Sequence, residues 1–203
     1  SMSHEIRTPM NAVVGLTEIA KNHTDDPEKM RDYLKKIDTS SKVLLSIINN
    51  VLDMSAIENE KLQLAHEPFD MQVILADIET LYSSQCRTRD IIFRINYDVR
   101  HNALVGDELR LKQIILNFVS NAFKFTEYGG NVFVSLKRNG QFAIIKVSDT
   151  GCGMPPEVGK HIFDKFYQGD TSHATEGNGL GLALVKRIID IIGGDISVML
   201  NSV

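Results

Sequence analysis

The chain has 203 residues, room for one or two domains, and 43% of them are hydrophobic, enough for a real core. Charged residues make up 24% and the net charge is −4, which argues against disorder and gives no electrostatic reason for a nucleic acid or an anionic membrane as partner. No apolar run reaches bilayer length, no signal-peptide pattern opens the chain, and Cys86 and Cys152 form no Cys-x-x-Cys unit, so a reducing, cytoplasmic setting is expected.

Residues 1–58 read as two long helices. In the first, Met2, Ile6, Met10, Val13, Thr17 and Ala20 recur at helical spacing. His4 lies off that stripe and is expected to face water, beside Glu5. Pro9 removes one ladder donor a turn later and is expected to bend the helix there. "KNHTDDP", residues 21–27, is a turn that ends on a capping Asp and a Pro in the first turn of the next helix. That second helix carries Met30, Leu34, Ile37, Ser41, Leu44, Ile48, Val51 and Ser55 in alternating steps of four and three, with Leu45 and Leu52 widening the seam. At ~1.5 Å per residue it spans about 48 Å. Two such helices cannot bury so broad an apolar face alone, so a second copy is expected to complete a four-helix bundle.

From about residue 67 the pattern changes to mixed elements. "FDMQVILADIETLYSSQ" reads as a helix entered from Phe69-Asp70, and "IIFRINYD" alternates as a strand. "DELRLKQIILNFVSNAFKF" is an amphipathic helix. "NVFVSLKRNGQFAIIKVSD" is a hairpin turning at Asn139-Gly140. A Gly-rich stretch to about residue 178, a helix through "GLGLALVKRIIDII" and a last strand "DISVML" complete the series. The whole is α+β: a helical hairpin, then an α/β sandwich with one mixed sheet and helices on one face, joined by residues 57–68.

Four groups of residues invite chemistry. Asn117, Asn121 and Lys124 project from one helix face. Asn is a poor mid-helix residue, yet amide oxygens suit Mg²⁺ and a lysine suits phosphate; equally, the amides could cap nearby loops. In "SDTGCGM" a strand delivers Asp149, with Gly151 and Gly153 after it. One carboxylate can accept from the exocyclic amine of adenine, but Asp-Thr-Gly is also an ordinary turn. Gly177, Gly179 and Gly181 lead into a helix whose N-terminus offers N–H groups to phosphate, or which simply packs closely on the sheet. "HIFDKFYQGD", residues 161–170, is either a lid segment pinned by Phe163 and Phe166 or a helical turn within a loop. No histidines or cysteines have metal-ligand spacing.

Taken together, the segments resemble a bacterial-type sensor histidine kinase. "SHEIRTP" resembles the phosphoacceptor box, and "NFVSNAFKF", "DTGCGM", "FDKFYQ" and "GNGLGL" resemble the N, G1, F and G2 boxes, in order. The resemblance implies a dimerisation and histidine-phosphotransfer domain at 1–66, truncated at its N-terminus. A Bergerat-fold ATP-binding domain follows at 67–203, with its last strand missing. His4 then corresponds to the phosphoacceptor, Glu5 to its acidic neighbour, and Thr8 to a water-positioning residue for dephosphorylating a response regulator, unless Thr8 is only a helix residue before Pro9. Asn117 and Asn121 correspond to the Mg²⁺–triphosphate ligands, Lys124 to a phosphate contact, and Asp149 to the adenine reader. Gly151, Gly153, Gly177, Gly179 and Gly181 correspond to the glycines that cradle ATP. Gln168 sits where some members carry Arg, which weakens any γ-phosphate contact.

The resemblance also separates kinase from ATPase. Gyrase-like relatives of the fold carry Glu, as a base for water, where this chain has Asn117. Bound ATP is therefore expected to survive long enough to reach His4, whose phosphate would pass to an aspartate on a response regulator receiver. The competing expectations are an ATP-binding module or scaffold that never phosphorylates His4, and a gyrase-like ATPase.

Overall fold

The computed structural model describes residues 2–59, 61–98, 103–140, 142–165, 167 and 179–199. The chain divides into two compact units. One comprises Ser1–Leu62 with Ile162–Leu184, the other Gln63–His161 with Val185–Val203.

The first unit is built on a helical hairpin, α1 (Met2–Lys21) and α2 (Pro27–Glu58). α2 starts where its sequence dictates: the Asp26 carboxylate accepts from the Lys29 N–H at 3.1 Å, and Pro27 is the first helical residue. α1 runs unbroken across Pro9. The stripe facing inward differs in detail from the expected seam. On α1 it passes through Pro9 and Ala20, both buried, while Met10 is exposed. On α2 it runs through Met30, Ile37, Leu44 and Val51, all half-buried, with Ile47 and Met54 fully buried. The apolar surface of α2 is wider than one partner helix covers. Leu34, Leu45, Ile48 and Leu52 therefore stay exposed, Leu52 at 62%. The turn segment at 162–165 also belongs to this unit, where Lys165 pairs with Glu58 at the end of α2.

The second unit opens with β1 (Glu67–Asp70), which leads directly into α3 (Met71–Arg89). Asp70 caps α3 by accepting from the Gln72 N–H at 2.8 Å. β2 (Ile92–Asp98) and β3 (Ala103–Gly106) precede α4 (Glu108–Phe125). The hairpin of β4 (Asn131–Asn139) and β5 (Phe142–Asp149) follows, turning at Gly140 with φ 62°. A short α5 (Pro156–Gly159) and then α6 (Gly181–Ile191) complete the described elements.

Among the described residues the strands form two sheets rather than the one expected. β4 lies at the centre of the larger, parallel to β2 and antiparallel to β5, while β1 and β3 pair antiparallel by themselves. The larger sheet is mixed, as the sequence suggested. The expected final strand "DISVML" is corrected: described residues 195–199 join no ladder. A strand exists only through pairing with a neighbour, and alternation along the chain does not supply the neighbour.

Alternation on β4 turns Val132, Val134 and Leu136 into the core. They meet Ile74 and Ile78 of α3 and Ile115, Val119 and Phe123 of α4 in one apolar cluster. Phe123 stacks 4.3 Å from Tyr82 and meets Phe93 edge-on at 5.2 Å. α4 is thus fixed against the sheet by its apolar face, which turns its polar flank to the rim.

Candidate active site

His4 is exposed on α1, as its position off the stripe implied. Glu5, next to it, is half-buried, and its Oε2 is enclosed by protein with no hydrogen-bond partner among the described residues. Burial pushes the Glu5 carboxyl above the ordinary carboxylate range, while neighbouring positive charge, that of His4 included, pulls the other way. The pair therefore combines an accessible imidazole with a carboxylate that holds a proton more readily than usual. Thr8 is exposed one turn later, and its hydroxyl donates to the His4 carbonyl at 3.1 Å. That bond ties its χ1 to the helix while leaving oxygen lone pairs able to accept.

In the second unit, α4 carries Asn117 and Asn121, both half-buried, and Lys124, exposed. They flank the helix face that buries Ile115, Val119 and Phe123. The Asn117 Nδ2 donates to the Gln113 carbonyl at 2.9 Å, which orients its amide. The Lys124 Nζ lies 5.0 Å from the centroid of the Phe125 ring.

The C-terminal end of α4 meets the turn after β5. Asp149 is exposed, and its Oδ1 accepts from the Gly151 N–H at 2.9 Å, which sets the carboxylate direction. A Cβ on Gly151 would stand 2.5 Å from the Phe125 carbonyl oxygen, so only glycine fits. Gly153 has φ 66° with open space around it, so glycine there serves the turn rather than a close approach. The structure therefore brings Asp149 and Gly151 onto the end of the helix that bears Asn117, Asn121 and Lys124.

Gly179 has φ 60°, and Gly181 is the first residue of α6, as the motif predicted. Gln168 and Gly177 lie outside the described residues.

A Mg²⁺–nucleotide fits this donor set. Two neutral amide oxygens on one helix face make an incomplete shell, and no three His, Cys, Asp or Glu among the described residues form a metal cluster. Such a site suits an ion that arrives largely ligated by phosphates rather than one held in a protein cage.

One residue that orders the start of α4 escaped the sequence reading. Asp107 caps α4 by accepting from the Arg110 N–H at 2.9 Å, and its other oxygen accepts from the Ala65 N–H at 3.0 Å. The joining segment after α2 is thereby fastened to the start of the helix that carries Asn117. "GDELR" signals the cap, but nothing in it signals the partner 42 residues earlier.

Two family models match the chain. Residues 1–60 match the His Kinase A (phospho-acceptor) domain, and residues 106–202 match the histidine kinase-, DNA gyrase B-, and HSP90-like ATPase family. The chain is 38% identical over 204 residues to the circadian input-output histidine kinase CikA of Synechococcus elongatus, covering 98% of this chain and 27% of CikA. It thus spans about a quarter of that curated relative's length. Full-length ShkA in complex with AMPPNP superimposes with a TM-score of 0.70 at 31% identity, over 94% of this chain and 40% of ShkA. The histidine kinase ThkA in complex with the response regulator protein TrrA has the same fold, with a TM-score of 0.65 at 24% identity over 95% of this chain and 53% of ThkA. No described helix is long and apolar enough to cross a membrane.

Proposed function

The chain belongs to the sensor histidine kinase family, and on that premise we propose that it is an ATP-dependent autokinase whose phosphoacceptor is His4. Residues 1–66 act as the dimerisation and phosphotransfer domain, and residues 67–203 as the ATP-binding domain. The observation that carries this reading is the pairing on one chain of two features. One is an exposed imidazole beside a half-buried carboxylate; the other is an amide-bearing helix seated against a glycine turn.

Asn117 and Asn121 would hold Mg²⁺ together with the triphosphate, and Lys124 would contact a phosphate. Mg²⁺, when bound, neutralises phosphate charge. Asp149 receives the adenine amine while Gly151 lets the backbone come close. Gly177, Gly179 and Gly181 lead to the N-terminus of α6, whose N–H groups would receive phosphate oxygens. Gln168 can offer only a neutral contact.

Transfer then needs positioning more than acid–base chemistry. A His4 ring nitrogen attacks the γ-phosphorus. An N–P bond forms, the P–O bond to the β-phosphate breaks, and ADP leaves with the bonding pair. Glu5 takes the proton of the other ring nitrogen, a role suited to a carboxylate with a raised pKa. Asn117 cannot take a proton from water, so hydrolysis does not compete.

The phosphoryl group passes from His4 to an aspartate of a response regulator receiver, a partner of the kind bound by ThkA. In the reverse sense, Thr8 would orient water for phosphatase chemistry. The exposed ridge of Leu34, Leu45, Ile48 and Leu52 on α2, with Met10 and Val14 on α1, supports a homodimeric four-helix bundle. Use of ATP and a receiver partner supports a cytoplasmic setting for the reaction.

Incubation with γ-labelled ATP tests the reading. Label on the protein that is acid-labile and base-stable, and absent from His4→Gln, is the expected result. Nucleotide binding without any label would favour a silent binding module instead.

A further inference from the structure

We propose that Arg89 is a positioning residue of the nucleotide site, holding the end of α4 where the Asp149–Gly151 turn can rest on it. The inference rests on the reading of α4 and that turn as the nucleotide site.

Arg89 is the last residue of α3, and Asp90 after it turns the chain through a left-handed conformation with φ 51°. Its side chain and backbone both reach the end of α4. Nη1 donates to the Phe123 carbonyl at 2.5 Å, and Nη2 donates to the Thr126 carbonyl. The Arg89 carbonyl accepts from the Gly129 N–H at 3.0 Å. The last carbonyls of a helix have no partner within it, and they lie at the negative end of its dipole. A planar, permanently charged fork matches two of them at once. The C-terminal turn of α4 is therefore held from outside the helix.

Beyond that turn the packing leaves almost no tolerance. A Cβ on Gly130 would stand 2.4 Å from the Thr126 Cγ2, and one on Gly151 would stand 2.5 Å from the Phe125 carbonyl oxygen. The Thr150 hydroxyl accepts from the Asn131 N–H at 2.9 Å, and the Thr150 N–H donates to the Asn131 carbonyl at 3.0 Å. Residues 125–131 and 149–151 are thus interlocked. A shift in the end of α4 moves Lys124 and Asn121 relative to Asp149, the two sides between which a nucleotide would lie. Arg89 touches neither side of the ligand; it acts through Phe123 and Thr126.

The test compares the full chain with Arg89→Met and Arg89→Lys. Thermal unfolding, ADP affinity in the presence of Mg²⁺ by calorimetry, and KM and kcat for labelling from ATP are measured on each. Arg89→Met is expected to weaken ADP binding about tenfold or more, with KM for ATP rising in step and kcat changing less. Arg89→Lys, which keeps charge and donors but not the flat fork, is expected to recover much of the affinity, leaving about a threefold loss. Should Arg89→Met not fold, that residual loss in a well-folded Arg89→Lys decides. Wild-type ADP affinity in the folded variants, even with a lowered melting temperature, would reduce Arg89 to a stability role and overturn the proposal. A wild-type chain that does not bind ADP would overturn the reading of the site itself, and the role of Arg89 with it.

Discussion

The Gly151 Cα faces the Phe125 carbonyl so closely that a Cβ in its place would lie 2.5 Å from that oxygen and 2.8 Å from the Asp149 Oδ1. Both neighbours are fixed: one is helix backbone, the other is held by the Gly151 N–H. Gly151→Ala must therefore displace the Asp149 turn. ADP affinity is expected to fall at least about tenfold, with the fold retained. Gly153→Ala meets no neighbour and carries only left-handed strain, about 1–2 kcal/mol, so it should cost stability more than affinity. Calorimetric titration with ADP checks both. Equal affinity in Gly151→Ala and wild type would remove the close approach from the account.

The parts of this site legible in the sequence are those with local causes. Asp26-Pro27, Asp70 and Asn139-Gly140 announce caps and a turn, and the helices and hairpin begin where those residues stand. Asn117, Asn121 and Lys124 share a face because helical period alone requires it. What the sequence did not show is non-local. The pairing of Glu67–Asp70 with Ala103–Gly106 joins four-residue strands too short to display alternation. The choice of Ile47 and Met54 as the buried positions of α2 depends on which face its neighbour takes, and an apolar surface this wide offers more than one. The tie from Asp107 to Ala65 belongs to the same class.

Glu5 couples stability to pH in the direction opposite to a salt-bridged carboxylate. Its folded pKa is raised, so between the unfolded and folded values the native state binds more protons than the unfolded one. Stability falls as pH rises through that window, and the penalty is fully present at neutral pH. Glu5→Gln should therefore melt higher than wild type at pH 7, with the difference vanishing under acid conditions where Glu5 is protonated in both states. It should also lose most labelling of His4. Thermal scans at several pH values check this; a variant less stable than wild type at pH 7 contradicts the burial argument.

Asp107 performs two tasks that substitution can separate. Asp107→Ala loses the α4 cap and the Ala65 anchor, and should cost about 1–2 kcal/mol by chemical denaturation. Asp107→Asn keeps a good capping oxygen but loses the second acceptor. It should recover most of the stability while Ala65 loses amide protection in hydrogen exchange. Unchanged Ala65 protection in Asp107→Asn would show that the anchor does not hold the joining segment.

The leucines left uncovered on α2 predict the oligomeric state. Leu45 and Leu52 are 58% and 62% exposed and one heptad apart. Leu45→Glu with Leu52→Glu should convert a dimer to a monomer in sedimentation velocity with helicity largely kept. A doubly substituted chain that remains dimeric would place the interface elsewhere.

In the proposed reaction, ATP held by α4 and the Asp149 turn gives its γ-phosphoryl group to His4 rather than to water. A single-turnover reaction with excess protein and γ-labelled ATP measures that choice directly, by the partition of label between protein and free phosphate. Label is expected to accumulate on the wild-type chain, and His4→Gln is expected to leave the ATP largely intact. Rapid release of free phosphate by wild type and His4→Gln alike would contradict it, and would make the protein a hydrolase.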